Sequence, residues 1–240
     1  MEKEIPKKIF YVWLGKNELP KIVKENLQNW QEFNPDFQII RIDESNFNIS
    51  KYKYVEEAYK DKNWAFASDL VRLDVIYNNG GFYFDTDVLF RKNINNLCKY
   101  KSVWAMENSG LINSGLIIGA HKGDIDLKNI IDIYKQKNYS RDNLNNLITV
   151  KIITDYFKQH GLVCDNKIQF LDRNQVVFPT KYFAPYHWWG GGKENSDTIA
   201  IQEYLNSWGA QASMSVKIKS NFRLYFPKIY AGIKQIIKNK

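Results

Sequence analysis

The chain has 240 residues, 34 Lys and Arg against 26 Asp and Glu, a net charge of +8 and two cysteines. That length suits one domain with a real core, or one domain with a small appendage. No apolar run is long enough to span a bilayer, Met1 to Lys8 is charged where a secretory leader would be apolar, and Cys98 and Cys164 lack metal-ligand spacing and read as buried thiols of a reducing cytoplasm.

Lys8 to Gly15 is apolar almost throughout, as a parallel strand covered on both faces would be. Pro20 opens a helix to about Asn34, with Ile22, Leu27, Trp30 and Phe33 as its apolar side. Phe37 to Ile42 is a second strand with Asp43 at its end, where it either touches a ligand or serves as a turn residue. Strand, helix, strand is the start of an α/β sandwich with parallel strands. Residues 51–61 read as helical.

Trp64 to Asp87 is the stretch around which the rest is organised. Phe66, Leu70, Leu73 and Tyr77 recur at helical spacing. Asp69 and Arg72, three apart, share a neighbouring face of that helix. Asn78-Asn79-Gly80-Gly81 stops it, and Phe82 to Phe84 is a short strand delivering Asp85 and Asp87. Residues two apart on a strand point the same way, roughly 6–7 Å from each other. Two carboxylates on one face can engage one hard divalent cation whose shell is completed by phosphate oxygens. A bare Asp-x-Asp is equally a solvated turn; the surrounding pattern gives it meaning.

Farther on, Ser102 to Met106 and Leu111 to Gly119 are strands, the second with Asn113-Ser114-Gly115 in its middle. Residues 124–137 and 144–160 are amphipathic helices around a polar surface loop at 138–146. Ile168 to Leu171 and Val176 to Phe178 are short strands. Phe183 to Gly192 joins two tryptophans and three glycines to His187, which reads as an irregular packed loop or a weak acceptor-site candidate. Asp197 to Trp208 contains Glu203, Asn206 and Trp208, whose carboxylate and amide oxygens suit Mg²⁺ or Mn²⁺. After Glu203 there is no Asp or Glu, but there are seven Lys and Arg. Phe226, Ile229, Tyr230, Ile233, Ile236 and Ile237 fall at helical spacing among them. Such a tail either lies on an anionic membrane or packs on the domain with its lysines solvated.

Ala67-Ser68-Asp69, Arg72, Gly80-Gly81, Tyr83, Asp85 and Asp87 together resemble the signature of the glycosyltransferases that include yeast initiating mannosyltransferases and bacterial capsular polysaccharide transferases (family 32-like), with the glucosylating clostridial toxins as distant relatives. The resemblance covers roughly residues 5–119, and 197–208 locally. It implies a GT-A-type, nucleotide-sugar-binding, Rossmann-like sandwich with a mostly parallel sheet, an Asp-x-Asp metal site and retention of anomeric configuration. It implies Asp85 and Asp87 as metal ligands, with Glu203 and Asn206 joining them by the toxin-branch pattern, since the commoner His is absent here. By the same resemblance Trp13 stacks on the nucleotide base, Asn113 faces the sugar, Tyr83 belongs to the donor site, and Trp208 lies near the diphosphate.

The reading is a metal-dependent retaining hexosyltransferase using Mn²⁺ or Mg²⁺, with Asp69 and Arg72 fixing the sugar of a UDP- or GDP-sugar. The acceptor is a saccharide, a lipid-linked surface or capsular glycan. The expected layout is a catalytic domain at 1–215 and a basic amphipathic tail at 216–240, in a cytoplasmic protein peripheral on the inner face of the plasma membrane. The rivals are a transferase with a protein acceptor, an inert nucleotide-sugar binder, and a nucleic-acid binder. The last is disfavoured because the central acids repel phosphate and no nucleic-acid motif accompanies the basic tail.

Overall fold

The computed structural model describes residues 4–172, 175–205 and 213–238. Strand β1 (Lys8–Val12), helix α1 (Lys21–Phe33) and strand β2 (Gln38–Ile42) form the expected parallel unit. Helices α2 (Lys53–Lys60) and α3 (Trp64–Asn79) lead to β3 (Gly81–Tyr83), which lies parallel to β1 on its other side. The buried side of α1 is Val23, Asn26 and Trp30, while Ile22 faces out. A polar Asn on the core side has consequences for the site.

The chain continues through β4 (Val88–Phe90), β5 (Ser102–Asn108), β6 (Leu111–Ile112) and β7 (Ile118–Ala120). Helices α4 (Ile125–Lys135) and α5 (Thr149–Lys158) follow, then β8 (Gln169–Phe170), β9 (Gln175–Phe178), α6 (Thr180–Phe183) and β10 (Ala200–Gln202). Helices α7 (Met214–Tyr225) and α8 (Pro227–Lys238) end it. Several segments differ from the sequence reading. Leu111 to Gly119 is two short strands separated by a turn at Asn113. The loop at 138–146 contains a 3₁₀ turn at Arg141–Asn146. The short elements β4 and α6 had no sequence signal.

The central sheet runs β2-β1-β3-β7-β5-β9-β8, with β6 paired to β5. Strands β2, β1, β3, β5 and β9 point one way; β7 and β8 oppose them. Alternate residues of each central strand enter opposite cores. Phe10, Val12, Tyr83, Trp104 and Met106 join α2–α5 on one face. Ile9, Tyr11, Phe82, Phe84, Val103 and Ala105 meet Trp30 and Phe90 on the other. This two-sided burial makes those strands continuously apolar in sequence.

Glycine places β3. Gly80 ends α3 at φ 66°, its N–H bonded to the Ile76 carbonyl 2.8 Å away. Gly81 has φ 114°, and a Cβ there would sit 2.8 Å from the Lys8 carbonyl oxygen. Only a residue without a side chain lets β3 close on β1. The carboxyl ends of β1, β3 and β5 therefore open on one edge of the sheet, the edge where ligands bind in open α/β sheets. Cys98 is buried and Cys164 half-buried, both free thiols.

Candidate functional site

Arg72 is the centre of the charged cluster. It is 5% exposed. Its guanidinium lies 3.0 Å from Asp69 Oδ1 and 3.2 Å from Asp85 Oδ1. It also donates to the Ser68 hydroxyl at 2.9 Å, and stacks over the Tyr83 ring at 4.9 Å. The Tyr83 hydroxyl donates to the same Asp85 oxygen at 2.7 Å. The spacing of Asp69 and Arg72 on α3 was legible in sequence. The bridge from α3 to the end of β3 is a tertiary contact. Arg72 thus holds two carboxylates in place, whereas the sequence reading has it fixing the sugar together with Asp69.

Burial pushes the Asp69 carboxyl up to about 6, against the opposing pull of Arg72 and a hydrogen bond from Thr149. Asp87 is likewise pushed up to about 6, by burial first and then by the negative charge of Asp85. Its Oδ1 accepts from the Gln202 amide at 2.7 Å. Asp69, Asp85 and Asp87 set three negative charges against one guanidinium. The surplus of two is what a divalent cation offsets, and carboxylate oxygens are the hard donors that Mg²⁺ and Mn²⁺ prefer. The residues therefore fit a metal whose remaining ligands come from elsewhere. Among the described residues no group of three or more His, Cys, Asp or Glu is arranged to hold a metal by itself.

Glu203 reaches this edge through β10, which pairs antiparallel with β4. Its N–H donates to the Asp87 carbonyl at 2.8 Å. Its carboxylate accepts from the Asn26 amide at 3.0 Å, and the same Asn26 nitrogen donates to the Thr86 carbonyl at 3.1 Å. Asn26, 2% exposed, thus ties the Asp-x-Asp turn to the Glu203 segment. Neighbours on α1 extend the grip: Asn29 accepts from the Phe90 N–H at 2.7 Å, and Trp30 donates to the Val88 carbonyl at 2.7 Å. Sequence reasoning missed Asn26. The signal available was an Asn one turn before Trp30, on the same side of α1. Asn206 and Trp208 lie outside the described residues.

The turn after β6 closes the site from the β5 side. Asn113 donates to Glu107 Oε2 at 2.9 Å and accepts from the Gly115 N–H at 2.8 Å. The Gly115 carbonyl in turn receives the Asp85 N–H at 2.9 Å. A Cβ on Gly115 would fall 2.1 Å from Asp85 Oδ2. The Asn113-Ser114-Gly115 turn therefore backs directly onto the first acid of the pair. Glu107, a second residue absent from the sequence reading, has its carboxyl pushed up by burial.

Trp13 stands half-buried just past β1, with its indole N–H donating to the Asn17 carbonyl at 2.9 Å. The residue follows the carboxyl end of β1, the strand that pairs with β3. Asp43 accepts from the Ser45 N–H and hydroxyl at 2.9 and 2.6 Å and pairs with Arg41 at 2.8 Å, which makes it a turn residue. His187 lies parallel to Trp189 at 4.7 Å, and Trp189 is 2% exposed and bonded to Asn221. The glycine-rich loop is therefore packed at its centre.

Residues 20–104 match the family model described as "Glycosyltransferase sugar-binding region containing DXD motif". That stretch includes Asn26, Asp69, Arg72, Tyr83, Asp85 and Asp87. No curated protein matches the chain by sequence. Among solved structures it resembles the PaToxG glycosyltransferase at 16% identity over 65% of this chain and 69% of that one, with a TM-score of 0.54. A looser likeness, with a TM-score of 0.44 and 11% identity over 74% of this chain and 84% of the other, is to a glycosyltransferase involved in glycosylation of the major capsid of PBCV-1. The fold is the GT-A glycosyltransferase sandwich expected from the sequence, and the chain carries a glycosyltransferase DXD region within it.

Proposed function

We propose that the protein is a metal-dependent, retaining glycosyltransferase that moves a hexose from a UDP- or GDP-sugar to a saccharide acceptor, of the lipid-linked surface or capsular glycan class. The observation that carries this reading is the Arg72 bridge between Asp69 and Asp85. It fixes two acids on one base, beside Asp87, at the sheet edge where a nucleotide diphosphate would lie.

In this reading Trp13 stacks on the base. Asp85 and Asp87, with Glu203 and Asn206 from the second segment, would hold Mn²⁺ or Mg²⁺. Such a metal, when bound, would supply positive charge to offset that of a leaving diphosphate. Asp69 accepts hydrogen bonds from sugar hydroxyls, and Arg72 keeps that carboxylate oriented while lending positive charge to the same pocket. Asn113, fixed by Glu107 and Gly115, offers its remaining amide hydrogen to the sugar. Trp208 contributes a donor to the leaving diphosphate.

The acceptor hydroxyl attacks the anomeric carbon on the face the diphosphate leaves. The carbon–oxygen bond to phosphate breaks as the new glycosidic bond forms, and the hydroxyl proton passes to the departing phosphate oxygen. Retention rests on the family resemblance. Among the described residues, Asp69 is held by Arg72 and Glu107 by Asn113, which suits neither to act as a covalent nucleophile.

The test is hydrolysis of a panel of UDP- and GDP-sugars by the purified protein with Mn²⁺, Mg²⁺ or EDTA. Metal-dependent release of one nucleoside diphosphate supports the reading. Release that is indifferent to EDTA, or no binding of any donor, overturns it.

A further inference from the structure

The two C-terminal helices are not alike. Helix α7 is fastened to the catalytic body. Arg223 donates to the Ser109 and Gly110 carbonyls at 2.6 and 3.2 Å. Asn108 donates to the Ser220 carbonyl at 3.2 Å, and the Ser109 hydroxyl to the Leu224 carbonyl at 3.1 Å. Trp189 donates to Asn221 at 2.9 Å. Helix α7 ends at Phe226, whose φ of −126° and ψ of 53° are not helical, and Pro227, which lacks the N–H a continuing helix needs, starts α8.

Helix α8 has far less to hold it. Phe226 and Tyr230 meet Phe222 of α7 at 5.7 and 6.3 Å, and Arg223 stacks on the Tyr230 ring at 5.2 Å. The rest of its apolar side is open. Ile229 is 56% exposed, Ile233 46%, Ile236 63% and Ile237 68%. At 3.6 residues per turn these four fall within an arc of roughly 100°. Lys228 and Lys234 lie outside that arc and are exposed. The alternative left open by the sequence, a stripe packed on the domain, does not hold for these isoleucines.

We propose that α8 is a membrane-surface anchor that lays its isoleucine face into an anionic bilayer, with α7 as the bracket joining it to the catalytic body. Charge selects this occupant. The segment after Glu203 has seven cations and no acid. A second copy of the helix would bring lysines against lysines, whereas anionic headgroups neutralise them. An open aliphatic stripe bordered by lysine is the pattern that sits at the headgroup–acyl boundary. No helix among the described residues is long and apolar enough to cross a membrane, so the contact is one of lying on the surface. Each lysine near an anionic surface is worth roughly five-fold in partitioning, and each isoleucine moved from water to the acyl boundary about ten-fold. The inference goes beyond the transferase reading and is tested without donor or metal.

The experiment is flotation of the full chain with vesicles of phosphatidylcholine alone and with up to about a third phosphatidylglycerol. Two variants accompany it, Ile233→Asp with Ile237→Asp, and Lys228→Gln with Lys234→Gln. Both change exposed side chains, and circular dichroism and thermal melting check that the fold is kept. The intact chain is expected to float only with anionic vesicles and less so at high salt. The lysine variant loses about 25-fold in partitioning and the isoleucine variant about 100-fold. Failure of the intact chain to float, or flotation unchanged in either variant, overturns the proposal. So does a sedimenting dimer that Ile233→Asp with Ile237→Asp breaks in the absence of vesicle binding, which assigns the face to a second copy.

Discussion

The Asn26 amide donates across 3.0 Å to the carboxylate of Glu203, 177 residues away in the chain. The same nitrogen holds the Thr86 carbonyl between the two acids of the Asp-x-Asp turn. One buried side chain on α1 thus sets the spacing of the two halves of the site. Asn26→Ala removes both bonds and leaves buried acceptors unpaired, a loss of about 1–3 kcal/mol in stability. In the proposed enzyme it also lowers donor turnover at saturating metal and raises the metal concentration needed for half activity. Chemical denaturation and a metal titration of donor hydrolysis check both parts. A melt and a titration matching the parent would reduce Asn26 to an incidental contact.

Arg72 answers to two carboxylates at once, and its planar fork suits that geometry better than the point charge of lysine. Arg72→Lys is expected to keep the positive charge yet lose at least about a hundred-fold in donor hydrolysis, since it cannot span Asp69 and Asp85 together. Arg72→Ala leaves both acids uncompensated and costs about 3–5 kcal/mol of stability, the usual scale for breaking a buried pair from one side. Pairing Arg72→Ala with Asp69→Asn should recover part of that loss. Additive losses in the double variant would mean the two residues act separately.

Gly115 gives a test of the turn that backs onto Asp85. A Cβ there would lie 2.1 Å from Asp85 Oδ2, so Gly115→Ala must push the carboxylate aside. Overpacking of this kind costs about 1–3 kcal/mol. The expected result is a folded protein with weakened Mn²⁺ binding, read by calorimetry in the presence of UDP or GDP. Metal affinity equal to the parent's would place Asp85 outside the metal shell.

The pH dependence of stability can be read at Asp124, far from the site. Asp124 caps α4, accepting from the Asp126 and Leu127 N–H groups at 3.0 Å each. Burial raises its carboxyl from the usual 3.8 to about 6. A raised carboxyl binds its proton more tightly in the folded state, so its contribution is full below about pH 4 and is lost as pH rises through 6. Asp124→Asn keeps the cap without the buried charge. It is expected to stabilise the protein by about 1–3 kcal/mol at pH 7 and by little at pH 4. A larger gain at pH 4 than at pH 7 would reverse the sign and refute this.

Much of this site could be read along the chain because its chemistry is local. Asp69, Arg72, the Gly80-Gly81 stop, Tyr83, Asp85 and Asp87 lie within one helix, one turn and one strand, so period and spacing place them. Asn26 could not be read that way. A polar residue on an amphipathic helix looks like part of its solvated face, and only the docking of β4 and β10 against α1 buries it. The turn at Asn113 was hidden for the opposite reason: Leu111 to Ala120 is apolar enough to look like one strand, and the Asp85 N–H bond that bends it comes from another element. The fastening of α7 and the freedom of α8 were hidden for the same reason, since both carry lysines and apolar residues at helical spacing, and the partners that Ser220, Asn221, Arg223 and Leu224 find on the body come from distant parts of the chain.

The central claim is that Asp85 and Asp87 form the metal-dependent diphosphate site, and calorimetric titration of UDP and GDP tests it most directly. It is run on the parent and on Asp87→Ala, each with excess Mn²⁺ and with EDTA. One nucleotide is expected to bind the parent with Mn²⁺, to weaken at least about ten-fold in EDTA, and to bind Asp87→Ala equally weakly with or without metal. Binding to Asp87→Ala that still strengthens on adding Mn²⁺ as much as the parent's, or parent binding indifferent to EDTA, would contradict it.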